Sequence, residues 1–425
     1  MLAAILSVRS LLIAILVLMG GSGFMSTLVS LRLEQAGSSD IVIGAVATAY
    51  FAGLVLGSLR AGLVVRRVGH IRAFAAFVAL LSATTLAYAL FQTPLFWAGL
   101  RLFDGICVAG VFVCLESWLN DRAEPETRGG ILAAYMVALY SGQALGQLLL
   151  AAVGGMPAAP FQAASILISL AIIPLCLTRS APPLPAEPTP FSLRRFFMVS
   201  PLGVVGATVT GLMLGAFYGM AAVHVRRLGL DLAETATFMS VVILGGVALQ
   251  WPLGRLSDIY DRRLVLVASF GATLVTSIGI ALASGPGLLL LAMGGLWGGL
   301  SFALYPLCVA HSNDRLHASE RVAASGGLVL LYSVGAALGP ILGASAMSLI
   351  GSSGLFLFIA LCAAGMLAFG LWRLAARDPV PSDEQQSYQI LPRTTPVAAL
   401  LDPNSTELDQ DGMTVPSATE GRMSS

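Results

Sequence analysis

The chain has 425 residues, of which 57% are hydrophobic and 11% charged, and its net charge is +1. Soluble domains average about 25% charged residues, so this composition excludes an ordinary soluble enzyme and favours a membrane protein with several spans. The near-zero net charge gives no reason to expect a nucleic-acid partner. The five cysteines lie in apolar segments without metal-ligand spacing, so neither a metal site nor a disulfide framework is expected.

Twelve apolar segments follow one another along the chain, each close to the length of about 20 residues that a spanning helix needs. The first half contains spans 1–6, at about 8–31, 41–65, 72–92, 95–118, 129–153 and 160–179. The second half contains spans 7–12, at about 199–222, 235–257, 263–284, 287–311, 321–349 and 354–376. The first run lacks a charged n-region and a small-residue cleavage site, so we expect a retained span. The predicted fold class is an all-α membrane protein with twelve transmembrane helices.

The chain divides into four predicted parts. Residues 1–179 form an N-terminal six-helix bundle, 180–198 a proline-rich linker, 199–377 a C-terminal six-helix bundle, and 378–425 a polar tail expected to be disordered. Arginines are concentrated in the loops on the side of both termini. Because cytoplasmic loops carry the excess of basic residues, we expect the termini, the linker and the tail to be cytoplasmic.

The two halves repeat each other. NDRAEPETR at 120–128 aligns with NDRLHASER at 313–321, and GLVVRRVGHIR at 62–72 aligns with GRLSDIYDRRL at 254–264. Transporters built from parallel repeats of this kind hold their substrate site between the halves, near the middle of the membrane.

These features resemble the major facilitator superfamily over about residues 8–378. The superfamily's loop signature is G-x-L-a-D-R-x-G-R-R, and the second copy here, GRLSDIYDRR, retains Gly254, Leu256, Asp258, Arg262 and Arg263. In the first copy Arg66 stands where the aspartate is expected. RGGILAAYMVALYSGQALGQLL and QWPLGRLSD are similar to the YcaD-like branch of the superfamily. The resemblance implies two pseudo-symmetric bundles that move solute by alternating access.

Span 4 contains three charged residues, Arg101, Asp104 and Glu116. A charge at the bilayer centre costs about 2.5–3.5 kcal/mol on insertion scales, so such residues are usually paired or functional. Arg101 and Asp104 are i,i+3 neighbours on one helix face. They match the superfamily's helix-4 signature R-x-x-q-G, with aspartate in place of glutamine. The resemblance implies that Arg101 takes part in proton coupling with Asp104 as the proton carrier; the alternative is a static ion pair that orients the helix.

A cytoplasmic gate is expected from a set of charged residues near the loops: Arg66, Glu116, Arg128, Asp258, Arg262 and Glu320. The symmetry of the repeats predicts that Asp258 faces Arg128 at the start of span 5, where the helix dipole favours an anion. It predicts equally that the charge-reversed Arg66 faces Glu320.

Polar and aromatic side chains inside the spans are candidates for the substrate cavity: Tyr135, Tyr140, Gln143, Gln147, Tyr218, Gln250, Trp251, Tyr305 and Tyr332. The two glutamines of span 5 are favoured because an amide in lipid must find a partner. For the aromatic residues, anchoring at the membrane interface is the alternative.

The sequence therefore predicts a secondary active transporter and not an enzyme. We expect a proton-coupled protein of the bacterial cytoplasmic membrane that moves a small organic solute, acts as a monomer and needs no cofactor or metal. Import and export are both open. A drug or metabolite efflux antiporter is an alternative, although the G-P pair of the superfamily's drug antiporters reads Gly146-Gln147 here. The alternative from another class is a non-transporting membrane sensor on the same fold.

Overall fold

The structure is a computed structural model that describes residues 2–124, 126–177, 193–376, 380–381 and 385–403. The helices of the first half are α1 (Leu2–Ser7), α2 (Arg9–Ser22), α3 (Met25–Gln35), α4 (Asp40–Val68), α5 (His70–Ala87), α6 (Pro94–Arg122), α7 (Arg128–Val153), α8 (Ala159–Leu170) and α9 (Ile172–Cys176). Those of the second half are α10 (Leu193–Val199), α11 (Pro201–Arg227), α12 (Leu232–Ile259), α13 (Arg262–Ala281), α14 (Leu288–Asn313), α15 (Ala318–Ile350) and α16 (Gly354–Ala376). A 3₁₀ helix, Pro396–Leu401, follows in the tail.

Twelve stretches of the described chain are long and apolar enough to cross a membrane, which confirms the predicted fold class. Helices α2 and α3 together form the first span, α8 and α9 form the sixth, and each of the others is a single helix. The first span extends to Gln35, beyond the predicted residue 31, because hydropathy marks only the apolar part of a helix that continues past it. Residues 178–192, most of the predicted linker, lie outside the described residues.

The two halves pack alike. In the first half α4 packs against α6 and α2 against α7; in the second half α12 packs against α14 and α11 against α15. Two further contacts, α4 with α15 and α7 with α12, join the halves. Because α4 corresponds to α12 and α7 to α15 in the repeat, these two interfaces are equivalent. They enclose the space between the bundles.

A close approach between α4 and α6 shapes the wall of that space. A Cβ at Gly105 would lie 2.1 Å from the carbonyl oxygen of Tyr50, and one at Gly53 would lie 2.1 Å from that of Leu102. Only glycine fits at both crossing points. The approach places Tyr50 beside Arg101, which lies one turn before Gly105.

The two ends of the bundle differ, and we call them the tail end, where the chain leaves the last span, and the far end. At the far end Arg227 binds Glu34 and Asp40 with N–O distances of 2.8 and 2.6 Å. Nearby, Ser30 Oγ donates a hydrogen bond of 2.8 Å to the carbonyl of Gly219. All of these contacts join one half to the other, so the far end is closed.

The tail re-enters the molecule at the tail end. Residues 385–403 lie against the bundles, and the side chains of Leu391, Thr395, Ala398 and Leu401 are buried. The 3₁₀ helix packs on α6, α7 and α15. In this segment the structure differs from the disorder predicted for 378–425. The average composition of the tail hides a local apolar run, ILPRTTPVAALL, which has enough apolar surface to bury.

Candidate transport site

The charged pair of span 4 lies in the interior of the first half. Arg101 Nη1 and Asp104 Oδ2 are 3.9 Å apart, and the two residues are 3% and 2% exposed. Asp104 also accepts hydrogen bonds of 2.6 Å from the hydroxyls of Thr84 and Tyr88, at the end of α5. The structure therefore brings Arg101 and Asp104 together and adds two donors from a neighbouring span.

Arg101 links this carboxylate to the space between the halves. Its Nη2 donates to Ser26 Oγ at 2.5 Å, and its guanidinium carbon lies 4.2 Å from the centre of the Tyr50 ring. The Nε atom is buried and has no hydrogen-bond partner in the described part of the protein. A buried donor without a partner costs about 1–3 kcal/mol.

A cavity of about 150 Å³ lies between the halves. Ser26 and Tyr50 line it on the side of Arg101. Other lining residues come from both halves and from the tail, among them Met136, Tyr140 and Gln143 of α7, Tyr218 of α11, Tyr332 of α15 and Arg393 of the tail. The cavity is thus lined by both aromatic and polar side chains. Because these come from both halves, a movement of one half changes the shape of the cavity that the other half lines.

Four of the nine predicted cavity residues line this space: Tyr140, Gln143, Tyr218 and Tyr332. Trp251 does not, because it is 62% exposed on the outer surface of α12, where Arg255 lies 5.5 Å from its ring. Helical spacing shows which residues share a face, but it does not show whether that face meets lipid or the partner half.

The other four predicted cavity residues are buried between helices. Tyr135 donates to Glu116 at 3.2 Å, and Tyr305 packs edge-on against Tyr332 with ring centres 5.3 Å apart. The amide nitrogens of Gln147 and Gln250 donate to the backbone carbonyls of Gly23 and Phe302, at 3.2 and 3.5 Å respectively. The two amides are therefore hydrogen-bonded to backbone carbonyls between packed helices and do not line the cavity.

Glu116 lies in the last two turns of α6, towards the tail end of the bundle, and is fully buried. Its carboxylate accepts hydrogen bonds from Tyr135 and from the hydroxyls of Thr394 and Thr395 in the tail. The group predicted to close a gate between helices therefore contacts the tail.

The charged loop residues pair within the second half. Arg262 binds Asp258 at 2.8 Å, one turn before it, and Asp314 at 2.6 Å. Burial raises the pKa of the Asp314 carboxyl, and the Arg262 guanidinium beside it acts in the opposite direction. Asp258 thus lies with Arg262, its i,i+4 neighbour, and not with the predicted Arg128 across the halves.

The remaining gate residues occupy different surroundings. Arg128 begins α7 and interacts electrostatically with Asp402 of the tail. Arg66 is exposed near the end of α4 and makes no ion pair with any described residue, including its predicted partner Glu320 in the first turn of α15. The predicted exchange of partners between the halves is therefore not present in this conformation.

The Major Facilitator Superfamily family model matches residues 10–312 and 204–403. The chain belongs to the major facilitator superfamily. An uncharacterized MFS-type transporter YcaD of Salmonella typhi is 31% identical over 359 residues, which are 83% of this chain and 92% of that protein. The same values hold for YcaD of Salmonella typhimurium. These relatives agree with the branch that the sequence resembles.

Solved structures of the superfamily share the fold at low identity. The nucleoside transporter NupG is 13% identical with a TM-score of 0.72, over 86% of this chain and 98% of that one. A bacterial homolog of the human lysosomal transporter Spinster, in an inward-facing and occupied conformation, is 15% identical with a TM-score of 0.70, over 90% and 98%. A D-xylose-proton symporter is 14% identical with a TM-score of 0.69, over 89% and 98%.

Several site residues of this superfamily member were missed by sequence reasoning. Thr84 and Tyr88 hold Asp104, and Arg393 enters the cavity from a tail predicted to be disordered. Asp314 could have been found, because the NDR repeat aligns it with Asp121. Nothing in the local sequence marks Thr84 or Tyr88, since their contact with Asp104 depends on how α5 packs against α6.

Proposed function

We propose that this chain is a proton-linked secondary transporter that moves a small organic solute across the bacterial cytoplasmic membrane by rocking its two halves about the central cavity. The tail end is the cytoplasmic end, in keeping with the arginine-rich loops found there. In this conformation the far end is closed by Arg227, so the cavity belongs to the cytoplasmic side.

The observation that carries the proposal is the environment of Asp104. The carboxylate is buried in the bundle and held by Arg101, Thr84 and Tyr88, while Arg101 also contacts the cavity wall. An intramembrane carboxylate with one cationic partner that also reaches the substrate cavity is a suitable proton carrier. The D-xylose-proton symporter shares the fold, but the coupling proposal rests on this chain's own pair.

Coupling follows from competition for Arg101. A solute that binds against Ser26 and Tyr50 displaces the guanidinium or changes the charge beside it, and so weakens its contact with Asp104. A carboxylate that loses a nearby cation holds a proton more strongly. Solute binding and proton binding are therefore linked, and the linkage works equally in both directions.

The test is a thermal-unfolding screen of the purified protein with a panel of metabolites and drugs, at mildly acidic and mildly alkaline pH. A solute present at about 100 times its Kd stabilises the folded state by about 2.7 kcal/mol. We expect this stabilisation to depend on pH in the wild type and to become independent of pH in Asp104→Asn.

The matched control is Asp121→Asn, which removes an exposed carboxylate from the end of the same helix and should leave the pH dependence intact. Proton uptake by proteoliposomes completes the test. Solute-driven proton movement that survives in Asp104→Asn would show that the pair is only structural.

A further inference from the structure

The tail is held at the tail end by specific contacts from the second half. The backbone N–H of Gln386 donates to Asp314 and its carbonyl accepts from Arg262, at 2.9 and 2.6 Å. The N–H of Tyr388 donates to Asp258 at 2.9 Å, and the tyrosine ring lies against Gly254. Three retained residues of the loop signature therefore contact the tail.

The first half contributes a second set of contacts. Glu116 accepts from Thr394 and Thr395, and Asp402 lies between Arg128 of the first half and Asn313 of the second, with an Asn313 Nδ2 to Asp402 Oδ2 distance of 3.0 Å. The tail thus joins both halves across the mouth of the cavity.

Arg393 lines the cavity and lies among aromatic rings. Its guanidinium carbon is 4.4 Å from the ring centre of Phe302, 5.7 Å from that of Tyr332 and 5.9 Å from that of Tyr140. Tyr218 also interacts with it. We call these four aromatic residues, Tyr140, Tyr218, Phe302 and Tyr332, the cation cage. Rings within about 6 Å of a cation attract it, most strongly where water is excluded.

The formal charges around the cavity favour the same kind of guest. Beside the cavity, Arg101 and Asp104 form a buried ion pair, and Glu116 accepts hydrogen bonds from Thr394 and Thr395, next to Arg393. Without the Arg393 side chain they sum to one negative charge. A cation in the cage balances this charge, whereas an anion would add to it.

The space left beside the tail is small. Its volume of about 150 Å³ compares with about 300–1,000 Å³ for pockets that enclose drug-sized ligands. Pro392, Arg393 and Thr394 themselves form part of the lining. A solute of ordinary size therefore fits only after this segment has left.

We propose that the cation cage is the solute site, that it takes an organic cation with a planar, delocalised charge, and that Arg393 is an intramolecular competitor for it. The inference rests on the proposed transport function and names its solute class. The tail then sets the solute concentration at which the transporter loads. If Arg393 occupies the site in most protein molecules, the apparent Kd for the solute equals the intrinsic Kd divided by the fraction of protein molecules whose site is empty.

The experiment measures binding of phenylguanidine, with neutral phenylurea as its isostere, to the purified full-length protein by calorimetry. Arg393→Gln should bind phenylguanidine at least about tenfold more tightly than the wild type, as expected for a site occupied about nine-tenths of the time. The matched control is Arg255→Gln, which removes the arginine above Trp251 on the outer surface and should change nothing. Phenylurea should bind more weakly than phenylguanidine to every variant.

Two further variants test the parts of the proposal separately. Thr394→Val, which detaches the tail from Glu116 and keeps the charge of Arg393, should raise phenylguanidine affinity in the same direction. Phe302→Leu combined with Arg393→Gln should lower it by about fivefold. Equal phenylguanidine affinity in the wild type and Arg393→Gln would contradict the proposal that Arg393 competes for the site. Equal affinity for phenylurea and phenylguanidine would contradict the proposal that the site prefers a cation.

Failure here is distinguishable from failure of the proposed coupling. Asp104→Asn should lose the pH dependence of phenylguanidine binding, whereas the preference for phenylguanidine over phenylurea, which the aromatic rings set, should remain. Normal cation selectivity with an unchanged pH dependence in Asp104→Asn would contradict the coupling alone. A pH-coupled solute that is neutral or anionic would contradict the cation site alone.

Discussion

Two charge clusters occupy equivalent positions in the two halves, and among the residues that the structure describes only the second cluster contacts the tail. The first-half cluster consists of Arg66, His70 and Asp121; the second-half cluster consists of Asp258, Arg262 and Asp314. In the first, Arg66 and Asp121 are exposed and His70 is buried. In the second, Arg262 and Asp314 are buried against each other, with side chains 1% and 2% exposed.

The clusters lie at equivalent helix ends but differ in the number of their carboxylates. Two carboxylates around Arg262 offer more acceptor sites than one guanidinium uses, and the remaining sites accept the N–H groups of Gln386 and Tyr388. The first-half cluster has one carboxylate, exposed to water. In the described part of the chain, the peptide-binding surface is therefore present in the second half and not at the equivalent position of the first.

Removing the arginine from each cluster should have very different effects on the free energy of unfolding, and this is the largest difference that we expect. Arg262→Gln removes the cation that is hydrogen-bonded to both the buried Asp314 and Asp258, and we expect a loss of about 3 kcal/mol or more in the free energy of unfolding. Arg66→Gln, the matched loss of an arginine in the first cluster, should change it by about 0.5 kcal/mol or less. Thermal unfolding in detergent gives both values, and equal losses would contradict the comparison.

The next effect tests tail docking at the paired signature glycines. A Cβ at Gly254 would lie 2.1 Å from Cδ1 of the Tyr388 ring, whereas one at Gly62 would have no atom within 4 Å. Overpacking of this kind costs about 1–3 kcal/mol, so Gly254→Ala should speed amide exchange at Gln386 and Tyr388 by about tenfold or more. Gly62→Ala should not alter exchange there. Unchanged exchange in Gly254→Ala would show that the ring contact does not hold the tail.

The smallest effect concerns the helix starts beside the two clusters. Asp261 caps α13 by accepting from the N–H of Arg263 at 3.0 Å, whereas α5 begins at Gly69 without a side-chain cap. Asp261→Ala should therefore cost about 1 kcal/mol in the free energy of unfolding.

That loss should depend on pH. Burial alone would raise the pKa of Asp261, but the hydrogen bonds from Arg263 hold it below its ordinary value of 3.8. A carboxyl whose pKa is lowered by folding stabilises the protein above that ordinary value and loses the contribution as pH falls through the folded one. The gap between wild type and Asp261→Ala should thus shrink below about pH 4. A gap that is constant with pH would mean that charge plays no part in the cap.

Sequence reasoning was most useful where contacts are local. The i,i+3 spacing placed Arg101 beside Asp104, and the repeat pointed to equivalent clusters in the two halves. It was wrong for Asp258, for which it predicts Arg128 across the halves although the i,i+4 neighbour Arg262 is one turn away. The contact of Asp258 with Tyr388, which lies far along the chain, has no local signal. Trp251 was assigned to the cavity because an aromatic residue in a span has the same local pattern on a lipid face.

The twelve spans, the two-fold repeat and the superfamily follow from the amino-acid sequence alone, because hydropathy, helical spacing and signature residues are local properties of the chain. Three features required the folded structure: which aromatic faces enclose the cavity, which carboxylates share Arg262, and that residues 385–403 lie at the mouth of the cavity. Those outcomes depend on burial against distant segments, which adds up over many contacts that no local pattern contains. The apolar run around Arg393 is buried because a cavity between the two halves accommodates it, and this cavity cannot be seen in the local sequence.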